Sequence, residues 1–262
     1  MNPAQTEAAK RLKSAGLENA NQEARWLSDH AKDNNLSLNK LVTRRCTGEP
    51  LQHIIGTTPF HAITLKTDAR ALIPRSDSES VVNLALDLLR SDIDLKIADL
   101  GAGTGALLLA ILHQRKTARG IAIERSNPAV GLLSENIELL ELTDRTDVFQ
   151  GSWADWRGWT DCDLIVSNPP YIQSNIIPTL SAEVRDYDPI EALDGGADGL
   201  SAYREIIDLG TRQMTSGSWL VLEIGYDQKN SVTTILKQNG FSNIAHRTDL
   251  SGNDRAIAAQ KP

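Results

Sequence analysis

The stretch Ile97 to Ile111, IADLGAGTGALLLAI, decides the fold. A short apolar run ends at Leu100, three glycines follow at Gly101, Gly103 and Gly105, and apolar residues then recur at helical spacing. A strand that turns through glycines straight into a helix opens a doubly wound α/β sheet, with ligands at the carboxyl ends of its strands. Glycine is needed where the chain takes positive φ, or where a ligand must approach the backbone with no Cβ in the way. The spacing is G-x-G-x-G, unlike the G-x-G-x-x-G of dinucleotide folds, and no lysine follows as in a P-loop. A merely structural tight turn is the alternative; strand and helix on both sides favour a ligand site.

Outward from this unit the chain alternates strand and helix. The patterning predicts strands at Lys96 to Leu100, Gly120 to Glu124, Thr146 to Gln150, Asp163 to Ser167, Trp219 to Ile224, Asn243 to Arg247 and Arg255 to Ala259. Helices are predicted at Val81 to Leu89, Gly105 to Gln114, Pro128 to Leu140, Ala202 to Met214 and Gln228 to Gln238. A Rossmann-like, mostly parallel seven-stranded sheet follows. The last two strands have no helix between them, so one member is expected to run antiparallel.

The strand after the turn ends at Glu124, about twenty residues on, where this architecture sets a carboxylate against the two hydroxyls of a ribose. A solvated charge at a strand end is the alternative. Turn and acid together argue for a nucleoside-containing ligand, and because the turn is not of phosphate type, S-adenosylmethionine is the better candidate. Backbone N–H groups at the helix start can face its carboxylate.

The fourth strand delivers Asn168-Pro169-Pro170-Tyr171 to the same edge. The planar amino group of an amide or nucleobase is a poor nucleophile, so it must be held at the right angle to an electrophilic methyl. Two acceptors can bind its two hydrogens: the Asn168 side-chain oxygen and a main-chain carbonyl, that of Pro169. Prolines fix φ and offer no competing donor. Tyr171 supplies a flat wall. A strand-terminating turn is the bland alternative for this segment.

The first 70 residues or so read differently. TEAAKRLKSAGL places Ala8, Leu12 and Ala15 on one helical face, and NQEARWLSDHAKDNN does the same with Ala24, Leu27 and Ala31. A small helical domain is expected over residues 1–58, then a β-hairpin linker over 59–76 with strands at Phe60 to Leu65 and Ala71 to Ile73, then the catalytic domain over 77–262.

The chain has 262 residues, 40% of them hydrophobic, and a net charge of −7. A basic stripe is missing from that balance, which disfavours nucleic acid as a partner. Two separated cysteines, Cys46 and Cys162, point to a reduced, cytoplasmic protein. The N-terminus has no signal-peptide core, and the longest apolar run, Ala106 to Leu112, is too short to cross a bilayer. The five histidines lack ligand spacing, so no metal is expected. The acidic runs SDIDLK and AEVRDYDPIE read as solvated faces in which Arg185 and Asp186 could touch a partner, and Arg255 reads as structural.

DLGAGTG, DLIVSNPPYI, EALDGGADGLSAYREI, LVLEIGYDQ and SGNDRA, preceded by GEPLQHIIG and LIPRSDSE, together resemble the bacterial release factor glutamine methyltransferases, the PrmC/HemK family, over essentially the whole chain. The resemblance implies a class I methyltransferase that moves a methyl group from S-adenosylmethionine to the glutamine side-chain nitrogen in the Gly-Gly-Gln loop of class 1 peptide chain release factors. It implies a monomer, with the N-terminal helices docking the substrate. By position, Gly101, Ala102, Gly103, Thr104, Gly105, Glu124, Trp153 and Asn168 would hold the cofactor, and Asn168, Pro169, Pro170 and Tyr171 would meet the glutamine. An indole at Trp153 can also stack on an adenine; a core or rim tryptophan is the alternative.

The chain departs from the family pattern at Ser76 and Ser78, where proline and threonine are usual, at Glu124 in place of aspartate, and at His61 in place of an aromatic residue. An amino-methyltransferase acting on a ribosomal protein glutamine or a nucleobase, and a catalytically idle binding module, are the competing readings.

Overall fold

The computed structural model describes residues 1–89 and 94–262, so Ser91 to Ile93 of the first acidic run lie outside the described residues. Four helices come first: α1 (Pro3–Ser14), α2 (Ala20–Asp33), α3 (Leu38–Cys46) and the short α4 (Leu51–Ile55). Asn2 caps α1 through a capping box with Gln5, which satisfies two otherwise orphaned N–H groups at the helix start. Leu12, Ala24 and Leu27, picked out by helical spacing, are fully buried in a core these helices share. Arg45 of α3 grips Glu23 of α2 through two hydrogen bonds, at 2.7 and 3.2 Å, and both side chains are withdrawn from solvent.

Strands β1 (Thr57–Phe60) and β2 (Ile63–Lys66) form an antiparallel hairpin. The single apolar segment expected from Phe60 to Leu65 is thus two strands, folded back at His61, whose φ of 51° makes the turn. The strand expected at Ala71 to Ile73 does not form. These residues run as irregular chain with Ala71 and Ile73 buried, because Pro74 and the cavity beside them leave no strand edge to pair with.

The sheet domain continues with α5 (Glu79–Leu88), β3 (Lys96–Leu100), α6 (Ala106–Gln114), β4 (Arg119–Glu124), α7 (Asn127–Leu139), β5 (Thr146–Gln150) and β6 (Leu164–Ser167). After a long connection carrying α8 (Ala182–Tyr187) come α9 (Ser201–Gln213), β7 (Trp219–Glu223), α10 (Lys229–Gln238), β8 (Ser242–Thr248) and β9 (Asp254–Gln260). The strand order is β5-β4-β3-β6-β7-β9-β8, parallel except for β9, the antiparallel member expected from the missing helix. Both faces of β3 and β6 are buried under helices, which is why Ile97, Ala98 and Leu100 of β3 and Leu164 to Val166 of β6 are apolar without alternating with exposed polar residues. No helix among the described residues is long and apolar enough to cross a membrane.

The second acidic run is not a simple solvated face. It forms α8, where Glu183 accepts from Arg45 at 3.1 Å and so ties the N-terminal helices to the segment following β6. Asp188, just after α8, is buried and accepts from Arg75 at 2.7 Å. Arg185 and Asp186 pair with each other in the open.

Candidate active site

Sheet register assembles the site. Leu100 of β3 is opposite Ile123 of β4 and Ser167 of β6, and Ser167 is opposite Leu222 of β7. The next residue of each strand therefore falls in one row along the carboxyl edge: Glu124, Gly101, Asn168 and Glu223. The Ser167 hydroxyl fastens the middle of the row by donating to the Leu100 carbonyl at 2.7 Å. After β3 the chain crosses to β4 on one side, while β6 lies on the other, so the row straddles the topological switch point where such sheets bind ligands.

A cavity of about 960 Å³ opens over this row. Gly101, Gly103 and Gly105 all take positive φ, 73°, 55° and 85°, as the turn requires. At Gly105 a Cβ would sit 2.6 Å from the Leu133 side chain, so the third glycine serves close packing of α6 on α7. At Gly101 a Cβ would press within 3.3 Å of the Trp153 ring, which lies over the turn. Glu124 is buried and accepts from the Gly103 N–H at 2.9 Å and the Ser126 N–H at 2.8 Å, one on each oxygen. Its extra methylene thus lets the carboxylate brace the turn while each oxygen keeps a lone pair toward the cavity. The Gly103 N–H is spent in this way. The Ala106 and Leu107 N–H groups that open α6 at the cavity wall are left without a partner among the described residues.

These residues fit a methionine-bearing nucleoside: anion-binding N–H groups at a helix start, a carboxylate with two free lone pairs, and an aromatic wall whose buried Nε1 has no partner among the described residues. The sequence reading missed Asp99, which lines the cavity at 1% exposure and accepts from the Leu108 N–H at 3.3 Å. Burial pushes its carboxyl up to about 7, against the Leu108 hydrogen bond and with the Glu124 charge adding to the rise. An acid ending a strand just before the glycines was the signal available for it.

Asn168 and Pro170 line the cavity, whereas Pro169 is buried and Tyr171 stands behind the lining. The Asn168 Nδ2 donates to the Ser78 hydroxyl at 3.5 Å, and no described donor reaches its Oδ1 or the Pro169 carbonyl. The Tyr171 hydroxyl donates to Glu223 Oε1 at 3.1 Å, and its carbonyl accepts from Gln228 Nε2 at 3.0 Å. Gln228 Oε1 also accepts from the Gly225 N–H, and the Tyr203 hydroxyl lies within donating reach of both that oxygen, at 3.2 Å, and the Glu223 carbonyl, at 2.9 Å. This buried web holds the segment after β6 against β7. Sequence reading missed it, apart from Arg255, whose structural assignment agrees with its bonds to Asp249 and the Ile224 carbonyl.

Burial raises the Glu223 carboxyl to about 7; nearby Ser78, Arg255 and Tyr171 hold it from rising further. Burial, reinforced by Glu223, also raises the Tyr171 phenol, which therefore stays a donor. Asp99 and Glu223 both titrate above the ordinary carboxylate range in the folded chain, so the stability they contribute is full below about pH 4 and lost as pH rises through about 7. Asp99→Asn and Glu223→Gln are accordingly expected to gain in Tm relative to the parent as pH rises from about 5 to about 8. Thermal unfolding across that range checks it; a Tm difference independent of pH contradicts it.

A protein-family profile described as Methyltransferase small domain matches residues 77–182. The release factor glutamine methyltransferase of Caulobacter vibrioides is 35% identical, covering 98% of this chain and 94% of its own length. That of Bradyrhizobium diazoefficiens is 38% identical over 97% of this chain and 92% of its own. Among solved structures, the hMettl16 catalytic domain in complex with the MAT2A 3′UTR hairpin 6 superposes with a TM-score of 0.61 over 76% of each chain at 14% identity, a likeness of fold alone. Near-full-length identity of this order, over a chain whose glycine turn, Glu124 and Asn168 stand in one row, places the protein in the release factor glutamine methyltransferase family.

Proposed function

We propose that the protein transfers a methyl group from S-adenosylmethionine to the side-chain amide nitrogen of the Gly-Gly-Gln glutamine in class 1 peptide chain release factors. The observation that carries this is Asn168: its Oδ1 faces no described protein donor, one register step from the glycine turn. The Ala106 and Leu107 N–H groups and Trp153 seat the cofactor on either side of the glycine turn, with Glu124 accepting from the ribose hydroxyls. The bound cofactor supplies an electrophilic methyl group on sulfur.

Asn168 Oδ1 and the Pro169 carbonyl accept the two hydrogens of the glutamine amide, which aims the nitrogen lone pair at the methyl and raises its electron density. Forming the new N–C bond would break the methyl–sulfur bond, the electron pair staying on sulfur, and would leave the nitrogen with one proton too many; that proton would leave along a hydrogen bond already pointing at an acceptor and pass from there to water. Pro170 flanks the amide plane, with the Tyr171 ring behind it holding the segment in place. Residues 1–58 act as the docking unit for the release factor, linked to the catalytic domain through 59–76, and the protein works as a cytoplasmic monomer.

Purified protein with methyl-labelled S-adenosylmethionine is expected to label the release factor and not its Gln-to-Ala loop variant. Equal labelling of that variant, or labelling of nucleic acid alone, contradicts the assignment.

A further inference from the structure

We propose that Arg75 is a substrate-binding residue: its guanidinium, held at one edge by the buried Asp188, donates from its free edge to a main-chain carbonyl of the Gly-Gly-Gln loop. The inference rests on the release-factor reading above and deepens it. That reading names acceptors for the glutamine; this one names a donor for the loop that carries it.

Two glycines offer no side chain to hold, so such a loop is gripped through its own N–H and C=O groups. Its carbonyls need donors on the Asn168 side of the cavity, and a guanidinium carries donors only. The arginines that line the cavity are Arg70, Arg75 and Arg125. Arg70 is committed elsewhere, with Nε and Nη2 on Asp68 and Nη1 on Glu135. Arg125 directly follows Glu124, at the end of the row assigned to the ribose.

Arg75 belongs to the other end. It immediately precedes the Ser76–Ser78 turn, in which the Ser78 hydroxyl accepts from Asn168. Its partner Asp188 directly precedes Pro189 to Ala192, which line the cavity. That run folds back on the chain after Asn-Pro-Pro-Tyr: the Ile172 N–H donates to the Leu193 carbonyl at 3.0 Å, and the Gly195 N–H to the Ile172 carbonyl at 2.8 Å. Arg75 thus bridges the two segments that flank Asn168.

Burial sets the direction in which it can act. The Asp188 side chain is 0% exposed and that of Arg75 39%, so the carboxylate is fixed in the wall while part of the guanidinium reaches the open cavity. Nη2 donates to Asp188 Oδ2 at 2.7 Å, and no described residue accepts from Nε or Nη1. A guanidinium is a planar fork that can serve two partners on two edges, whereas the compact ammonium of a lysine has no second edge to present.

That difference makes the test. Arg75→Lys keeps the ion pair with Asp188, so its Tm is expected to stay close to the parent's. Its KM for the release factor is expected to rise at least about fivefold, with kcat and the cofactor Kd within about twofold of the parent. A bond made equally to bound substrate and transition state appears in KM alone. Arg75→Ala is expected to raise KM at least about tenfold. Asp188→Asn keeps an acceptor but loses the charge that aims the guanidinium, and is expected to raise KM about threefold with kcat unmoved. Adding it to Arg75→Ala is expected to cost nothing more, because Asp188 acts on substrate only through Arg75.

A parental KM in Arg75→Lys shows that Arg75 serves the ion pair alone and overturns the proposal. A defect that falls on the cofactor Kd assigns Arg75 to the cofactor and overturns it equally. In both cases the parent still labels the release factor, so the functional reading stands; a parent that labels no release factor overturns that reading and this inference with it. Should Arg75→Ala fail to fold, Arg75→Lys decides the question.

Discussion

Asn168→Ala is expected to lower turnover at least about tenfold while cofactor affinity changes little. Truncation removes one of the two acceptors that aim the substrate nitrogen, and a lost orienting hydrogen bond is worth on the order of 1 to 3 kcal/mol in the transition state. The Asn168 side chain braces nothing in the glycine turn: its one protein bond among the described residues is the long one to Ser78. The loss should therefore fall on kcat, with the cofactor Kd from calorimetry unmoved. A variant that turns over normally, or whose defect is confined to cofactor binding, contradicts the orienting role.

Glu124→Ala is expected to be the more damaging change to binding. It removes the proposed ribose acceptor and also leaves the Gly103 and Ser126 N–H groups without the carboxylate that now satisfies them. Each hydrogen bond to a charged group is worth about 1.5 to 3 kcal/mol, so losing two to the ribose weakens cofactor affinity at least about a hundredfold. The unpaired turn should also cost Tm in the cofactor-free protein, although water entering the cavity softens that loss. Binding within about threefold of the parent by calorimetry would show that Glu124 serves the turn alone.

The two motifs that define the site were legible because each is local. A strand running into glycines, and a strand ending in Asn-Pro-Pro, carry their signals in consecutive residues, and helices α5 to α7, α9 and α10 fall within two residues of their expected limits because their apolar faces repeat at helical spacing. What escaped was whatever depends on register or on a distant partner. Glu223 gains its meaning from lying beside Asn168, which only the pairing of Ser167 with Leu222 shows. Asp188 read as one more solvated acid because its partner Arg75 is far away in the chain. Ala71 to Ile73 has the composition of a strand, yet it lines a cavity and has no edge to join. Pro169 and Tyr171 were expected at the site surface; the proline is buried, and the tyrosine hydroxyl points back to Glu223. The segment is thus held from behind by β7 as well as delivered by β6.

The most direct test of the account is a structure of the protein with S-adenosylhomocysteine and a glutamine-bearing release factor loop. The account predicts that the glutamine amide nitrogen lies within hydrogen-bonding distance of both Asn168 Oδ1 and the Pro169 carbonyl, and faces the cofactor sulfur over the Gly101 to Gly105 turn. A glutamine held by other acceptors, or an Asn168 amide presenting Nδ2 to it, would contradict the account.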